Sequence, residues 1–420
     1  MIPYLEHYKE KWQVVSETVI KPGLEAIESA LALVGNPQQH LNVVHLAGTN
    51  GKGSTLTFLE AIATEHGIRV GKFMSPCILD VHDQIQVAGE PISADDMDSV
   101  FKQMREAGLS AKLTDFELLT VAAFMQFQRK NVEVVLLEAG MGGLLDSTNV
   151  VHPIVSIIPS IALEHTRFLG DTLASIAHHK AGIIKDSRPV IIGELPDEAK
   201  HVVLQEAKAK KAPVLALGDQ FYVEQATSGE KYTNEENGLS IENINRSMKG
   251  WHQAHNMALA ITAFFEVATE LGKPISLDFI KIAVETAVIP GRFEEVLPSI
   301  IFDGAHNPAS AEKLVLTIKE QFPQESITFV VGMLADKGVK EVLRSFEEIA
   351  DSFYFVDVQN TRAMPAEEML AQSNASDAHV LKDYIPFLTK RLKVDNRIII
   401  TGSLYLLAKI RLDLIRNYQK

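Results

Sequence analysis

A glycine-rich segment near residue 50 has the residue types and spacing of a phosphate-binding loop. The apolar run 43–47 leads into Gly48-Thr49-Asn50-Gly51-Lys52-Gly53-Ser54-Thr55, and a helical pattern follows. In this order of strand, loop and helix start, backbone N–H groups and the helix dipole can face one anion. Lys52 adds a cation, and the hydroxyls can reach a bound Mg²⁺ ion. We therefore expect ATP to be bound by Asn50, Gly51, Lys52, Gly53 and Ser54.

An acidic residue follows another apolar run, at the place where an α/β sheet presents groups to a ligand. Glu138 comes directly after residues 132–137, which are predicted to form a strand, and glycines follow it. Ligands of such sheets bind at the carboxyl ends of the strands. Because Mg²⁺ prefers hard oxygen ligands, we expect Glu138 to hold an ion that bridges the nucleotide phosphates.

The elements that would position these residues alternate along the chain. Strands are predicted at 43–47, 68–74, 132–137, 154–158, 189–192 and 213–217, and helices at 52–66, 94–107, 116–130 and 254–271. This alternation indicates βαβ units and a mainly parallel sheet. Residues 3–34 have a helical pattern that Pro22-Gly23 interrupts, and residues 218–244 are polar enough to suggest short antiparallel strands.

The regular pattern stops at Pro290-Gly291 and then restarts. Further strands are predicted at 300–303, 327–331, 353–356 and 397–401, and helices at 309–321 and 339–349. The second block is long enough to bury a core of its own. We therefore predict an α/β protein of two domains. A P-loop domain with a mainly parallel sheet spans residues 1–290, and a smaller Rossmann-like domain spans residues 291–420.

Composition and charge exclude several classes of protein. The chain has 420 residues, of which 46% are hydrophobic and 22% charged, as in ordinary globular proteins. Its net charge of -14 would repel a nucleic-acid backbone. No segment approaches the ~20 apolar residues of a membrane span, and the N-terminus lacks the apolar core of a secretory signal. The single cysteine, Cys77, cannot form an internal disulfide, which favours the cytoplasm. We also expect a monomer without nucleic-acid or membrane partners.

The phosphate loop resembles that of the Mur ligase superfamily. Its string GTNGKGS is similar in particular to folylpolyglutamate synthase/dihydrofolate synthase, and it departs from the common P-loop pattern at Leu46 and Gly53. Further blocks follow in the order of that family: Ser75-Pro76, 114–117, 138–149, 161–165, 180–183, 252–256, 290–293 and 303–308. The resemblance therefore covers most of the chain.

Two Mg²⁺ ions are implied by this resemblance. One would be held by Ser54, Ser75 and Glu138, and the other by His165 and Lys180. The resemblance also implies that Lys180 reacts with CO₂ to give a carbamate, which replaces a cation by a bidentate oxygen ligand. From the residues alone, the alternatives are that Lys180 is an unmodified surface lysine, Ser75 a turn or helix-cap residue, and His165 a surface or core residue.

The resemblance assigns two further groups of residues. The ATP clamp would be formed by Asn256, Arg292, Asp303 and His306. The folate substrate would be contacted by Thr114, Phe116, Glu117, Leu145, Asp146 and Ser147. From the residues alone, Phe116 could equally belong to the core, Arg292 to a linker, Asp303 to a helix cap and His306 to a turn.

The implied reaction is ATP-dependent formation of an amide between L-glutamate and a folate or dihydropteroate carboxylate, through an acyl phosphate. Cys77, Gln84, Leu144 and His179 depart from the residues usual in the family, and three of them lie in loops that frame the folate. Three alternatives remain at this point. They are another Mur-type ligase acting on a cell-wall precursor, which Gly53 disfavours, a P-loop phosphotransferase or NTPase, and an ATP-binding homologue that has lost activity.

Overall fold

The chain folds into two compact units. The computed structural model describes residues 2–18, 23–77, 80–391 and 397–418, so Pro22 of the predicted Pro22-Gly23 break lies outside the described residues. One unit comprises Met1–Ser247 and Ala254–Ala287, and the other comprises Met248–Gln253 and Val288–Lys420.

The first unit contains an eight-stranded sheet in the order β4-β3-β2-β5-β1-β6-β7-β8. Its strands are β1 (Val43–Leu46), β2 (Val70–Phe73), β3 (Ile85–Val87), β4 (Glu90–Pro91), β5 (Val134–Glu138), β6 (Val155–Ile158), β7 (Val190–Ile192) and β8 (Val214–Ala216). Only the pairs β2/β3 and β3/β4 are antiparallel. The predicted mainly parallel sheet is confirmed. A separate antiparallel sheet, β9 (Phe221–Gln225), β10 (Glu230–Asn234) and β11 (Leu239–Ile244), occupies the polar segment.

Between residues 2 and 287, the described part of the chain contains ten α-helices. They are α1 (Leu5–Trp12), α2 (Glu25–Leu33), α3 (Lys52–Glu65), α4 (Ala94–Glu106), α5 (Asp115–Arg129), α6 (Thr166–Leu169), α7 (Leu173–Ala181), α8 (Asp197–Ala209), α9 (Trp251–Leu271) and α10 (Leu277–Thr286). Short 3-10 helices span Pro37–His40, Val81–Gln84 and Ser147–Val150. None of the described helices is long and apolar enough to cross a membrane.

The register of the central strands places the loops after β1, β5 and β6 next to one another. β1 lies between β5 and β6, and Leu46 pairs with Glu138 on one side and with Ile157 on the other. All three strands are buried along their length, as expected for a parallel sheet covered by helices on both faces. Because they run parallel, the loops that follow them emerge at the same edge.

The second unit has its own six-stranded sheet, in the order β12-β13-β17-β14-β15-β16. Its strands are β12 (Glu294–Leu297), β13 (Ile300–Phe302), β14 (Ile327–Val331), β15 (Ser352–Phe355), β16 (Ala378–Val380) and β17 (Arg397–Thr401). Its helices are α11 (Pro308–Gln321), α12 (Val339–Glu347), α13 (Ala366–Gln372), α14 (Tyr384–Arg391) and α15 (Leu404–Tyr418). Only β12 is antiparallel to its neighbour. This confirms a second α/β unit, whose core includes stacked Phe329, Phe346 and Phe353.

Candidate active site

The phosphate loop has a shape that its own protein contacts set. Gly51 caps α3 in the left-handed conformation, with φ at 88°. The Thr49 N–H donates to the Ser160 carbonyl at 2.9 Å, and the Asn50 N–H donates to Ser160 Oγ at 3.0 Å. Asn256 of α9 approaches the same place, because a Cβ on Gly51 would lie 2.5 Å from its Oδ1. The loop is thus held by the segment after β6, and predicted ATP residue Asn256 lies against it.

Lys52 and Glu138 lie together beside this loop. Lys52 Nζ donates to the Gly48 carbonyl at 2.7 Å and lies 3.7 Å from Glu138 Oε1. Ser54 is buried in the first turn of α3. Ser75 follows β2, whose Phe73 pairs with Leu137, so it stands at the same edge of the sheet. Hydroxyl and carboxylate oxygens are the donors that Mg²⁺ prefers, and such sites take few ligands from protein.

Lys180 is buried, so the alternative of a surface lysine is wrong. Its side chain is 1% exposed, and Nζ donates to Glu164 Oε1 at 2.6 Å. Burial lowers the pKa of Lys180 to about 8, although Glu164 opposes the shift. Burial alone would raise the pKa of Glu164, but the charges of Lys180 and Lys52 lower it to about 2.

Glu164 was not predicted as a site residue. The available signal was the one that identified Glu138, namely a carboxylate in a loop that follows an apolar strand. His165 comes next in the chain, directly before α6, and has a left-handed backbone with φ at 45°. The described residues contain no cluster of three or more His, Cys, Asp or Glu side chains that could hold a metal ion. The assignment of His165 to a metal stays a prediction.

The segments predicted to contact substrate differ in how deeply their side chains are buried. Phe116 lies against Gly140, because a Cβ on Gly140 would lie 2.6 Å from Phe116 Cζ. Leu145 is 45% exposed, which leaves it free to meet a ligand. Asp146 is buried and accepts from the Met141 N–H at 2.8 Å, and buried Ser147 is hydrogen-bonded to Thr120. Phe116 is partly buried and packs against the core, Leu145 is exposed, and Asp146 and Ser147 hold the loop.

Thr114 and Glu117 form a capping box at the start of α5. Thr114 Oγ1 accepts from the Glu117 N–H, and Glu117 Oε2 accepts from the Thr114 N–H at 2.7 Å. This bonding satisfies N–H groups that a helix start leaves without partners. Both side chains therefore have a structural role that orients Phe116 between them.

We expect Thr114→Ala to lower the free energy of unfolding by about 1 kcal/mol, because a cap acceptor is lost. Thr114→Ser should retain nearly all of the stability, since its hydroxyl can accept the same bond. Urea denaturation of both variants measures the difference. Equal stability of Thr114→Ala and the wild type would show that the capping box contributes nothing.

Of the four residues that depart from the family pattern, Leu144 and His179 are in contact with each other, and Cys77 and Gln84 are buried. The Leu144 N–H donates to the His179 carbonyl at 2.7 Å, and Leu144 packs against Gly182. Leu144 and His179 therefore meet at one contact between the loop after β5 and α7. Cys77 is buried, and burial raises the pKa of its thiol to about 11. Gln84 is also buried, and its Oε1 has no hydrogen-bond partner among the described residues.

Three predicted ATP residues of the second unit lie close together. The Asp303 carboxylate accepts from the Phe293 N–H and the Ala305 N–H, both at 2.9 Å. Burial raises the pKa of Asp303, and the charge of Arg292 acts against that rise. His306 Nδ1 donates to the Gly304 carbonyl at 2.8 Å. Asp303 is not the cap of α11, because the side chain of Asn307 caps that helix.

Comparisons with known proteins agree with this architecture. The Mur ligase middle domain matches residues 46–264, and the Mur ligase glutamate ligase domain matches residues 291–404. The dihydrofolate synthase/folylpolyglutamate synthase of Bacillus subtilis is 35% identical over 407 residues, covering 93% of this chain and 95% of its own. The folylpolyglutamate synthase of Lacticaseibacillus casei is 32% identical, covering 93% of this chain and 94% of its own.

Solved structures are similar over nearly the whole chain. A structure titled E. coli FolC in complex with DHPP and ADP has a TM-score of 0.90 and 27% identity, covering 99% of this chain and 98% of that one. A Mycobacterium tuberculosis folylpolyglutamate synthase complexed with ADP and AMPPCP has a TM-score of 0.84 and 27% identity, covering 97% of each chain.

Proposed function

The chain belongs to the folylpolyglutamate and dihydrofolate synthases of the Mur ligase superfamily, and we propose that it adds L-glutamate to a folate with ATP as co-substrate. It is an ATP-dependent carboxylate–amine ligase. The observation that carries this conclusion is the buried Lys180–Glu164 pair on the unit that contains the phosphate loop, where Lys52 acts on the charge of Glu164. A simple P-loop phosphotransferase would not account for the second domain, which matches the Mur ligase glutamate ligase domain.

We propose that Mg²⁺ binds beside the phosphate loop. Ser54, Ser75 and Glu138 would hold one ion, and their hard oxygen donors at one edge of the sheet fit it. His165 and a carbamate of Lys180 would hold a second. When bound, Mg²⁺ neutralises charge that develops on the phosphate oxygens and on the acyl carbonyl.

The surroundings of Lys180 fit the carbamate. Only the neutral amine reacts with CO₂. Burial lowers the pKa of Lys180 to about 8, so in a fraction of the molecules the Lys180 amine is uncharged near pH 7. The carbamate would be an anion beside the Glu164 carboxylate. A divalent cation would stabilise these two negative charges, which would repel each other without it.

The residues of this chain would perform the reaction mainly by positioning and electrostatics. Phe116 and Leu145 bind the pteridine side of the folate by stacking and apolar contact. The folate carboxylate attacks the γ-phosphorus of ATP, ADP leaves, and Lys52 stabilises the transferred charge. The amine of L-glutamate then attacks the acyl phosphate, an amide forms and inorganic phosphate leaves.

The remaining assignments complete the proposal. Asn256 would bind ATP beside the phosphate loop, and Arg292, Asp303 and His306 are proposed as further ATP-binding residues. We keep the domain boundary at residue 290, with the ATP-binding domain before it and the ligase domain after it. A cytoplasmic location and a monomeric state stay predictions.

The acceptor is tested by phosphate release with ATP, Mg²⁺ and L-glutamate, together with tetrahydrofolate, dihydropteroate, a cell-wall precursor or no acceptor. We expect phosphate and amide product in equal amounts with a pterin acceptor, and little phosphate without one. Turnover on dihydropteroate as well would assign both glutamate additions to this chain. Release that ignores the pterins would contradict the folate assignment, and no turnover with any acceptor would favour an inactive homologue.

A further inference from the structure

A buried histidine on the strand that leads into the phosphate loop has no part in the reaction derived above. His45 lies in β1, is 0% exposed, and pairs with Leu137 of β5 and Ser156 of β6. Burying an imidazole is costly unless its nitrogens are hydrogen-bonded. His45 Nε2 lies 2.9 Å from Thr148 Oγ1, whereas Nδ1 has no partner among the described residues.

The hydrogen bonds fix the direction of this contact. Thr148 Oγ1 donates to Asp146 Oδ1 at 2.6 Å. Burial raises the pKa of Asp146, and the hydrogen bonds from Thr148, Met141 and Gly140 act against that rise. With Asp146 ionised, the one hydroxyl proton of Thr148 goes to its carboxylate, so His45 Nε2 carries a proton and donates to Thr148. Burial, with a smaller effect of Lys185, lowers the pKa of His45 to about 3, so the ring stays neutral with Nδ1 unprotonated. A chain of donors therefore runs from His45 through Thr148 to Asp146.

Asp146 in turn closes the loop that follows β5. Its Oδ1 also accepts from the Thr148 N–H at 3.1 Å, and its Oδ2 accepts from the Met141 N–H at 2.8 Å. Gly140, directly before Met141, lies against Phe116, and Leu145, between the two contacts, is exposed. The orientation of one buried carboxylate thus determines how the loop presents the groups that would meet the folate.

We propose that His45 is a positioning residue for the folate, which acts through Thr148 to hold Asp146 and the loop 140–147 in their binding geometry. The assignment of the folate to this loop rests on the proposed function. The donor chain itself rests on the burial and the distances of His45, Thr148 and Asp146. Because none of these three hydrogen bonds involves residues 48–54 of the phosphate loop, loss of the chain should weaken folate binding more than nucleotide binding.

Steady-state kinetics on four variants tests this selectivity. Thr148→Val removes the hydroxyl at nearly constant shape, His45→Leu removes the donor, and Thr148→Ser keeps the hydroxyl. Thr328→Val is the matched control, because Thr328 is equally buried and bonded to Ser352 in the second unit. We expect the folate KM to rise about tenfold in Thr148→Val and His45→Leu, because each change leaves a buried hydrogen-bonding group without its partner. The ATP KM should change much less than the folate KM, and Thr148→Ser and Thr328→Val should resemble the wild type.

The double variant His45→Leu/Thr148→Val should be no worse than the more affected single variant, because both changes break the same chain. An unchanged folate KM in Thr148→Val would overturn the proposal. An ATP KM that rises as much as the folate KM would also overturn it, because the effect would then be general. Additive losses in the double variant would contradict the series arrangement.

Hydrogen exchange of the Met141 and Thr148 amides provides a test that needs no turnover. Both amides donate to Asp146, so we expect faster exchange in Thr148→Val and wild-type exchange in Thr328→Val. Unchanged exchange would overturn the positioning role. A wild type that uses no folate would contradict the proposed function, and the exchange result would still decide whether His45 and Thr148 hold this loop.

Discussion

Replacement of Lys180 by alanine should lower turnover by about a hundredfold or more, equivalent to at least about 2.7 kcal/mol of transition-state stabilisation. Lys180 is 1% exposed and its Nζ lies 2.6 Å from Glu164 Oε1, so it is not a surface lysine. Lys180→Arg keeps the positive charge beside Glu164 but cannot form the same carbamate, and it should not restore turnover. Rates are measured by phosphate release under saturating substrates.

A second pair of variants separates catalysis from stability. Lys180→Ala leaves the Glu164 carboxylate without its closest cation, and breaking a buried pair in this way costs up to about 3–5 kcal/mol. Lys180→Met/Glu164→Gln removes both charges, so its stability should recover towards that of the wild type while its turnover stays low. Wild-type rates in Lys180→Ala would refute the catalytic role of this residue. A carbamate carbon seen by NMR with ¹³C-labelled CO₂, and lost in Lys180→Arg, would identify the modification.

The second large effect is expected from Gly51→Ala in the phosphate loop. Gly51 has a φ of 88°, and an added Cβ would lie 2.5 Å from Asn256 Oδ1 and 3.2 Å from Pro159 Cβ. Either Asn256 or the loop must move, and both belong to the proposed ATP site. We expect ADP affinity to fall at least about tenfold, or about 1.4 kcal/mol, as measured by calorimetry.

Gly67→Ala provides the matched control. Gly67 also has a left-handed backbone, with φ at 72°, but an added Cβ would meet nothing within 4 Å. Both variants therefore carry the conformational cost of a side chain at positive φ, and only Gly51→Ala disturbs the loop. Similar ADP affinities in the two variants would contradict the role of Gly51.

Local patterns made part of the site predictable. The phosphate loop and Glu138 were predictable because each stands at the end of an apolar run in the sequence. The strands were predictable because buried parallel strands are continuous apolar runs. Helix α7 was not predicted, since its buried face includes Lys180. A buried charge weakens the helical pattern that a sequence presents.

Other features depend on contacts between distant residues and could not be predicted. Lys180 meets Glu164 through the packing of α7, and His45 meets Thr148 across 103 positions of sequence. The capping box of Thr114 and Glu117 was readable from its spacing, but both residues were assigned to substrate by resemblance. The structure adds a local structural role to that assignment.

Transfer of isotope from the folate to phosphate tests the central claim most directly. The acceptor carboxylate is labelled with ¹⁸O and incubated with the protein, ATP, Mg²⁺ and L-glutamate, and the phosphate and the amide are analysed by mass spectrometry. An acyl phosphate requires one labelled oxygen to leave in each phosphate for each glutamyl amide formed. We predict this one-to-one transfer. Unlabelled phosphate, released at the same rate without glutamate and without amide product, would contradict the assignment of this chain as a folate–glutamate ligase.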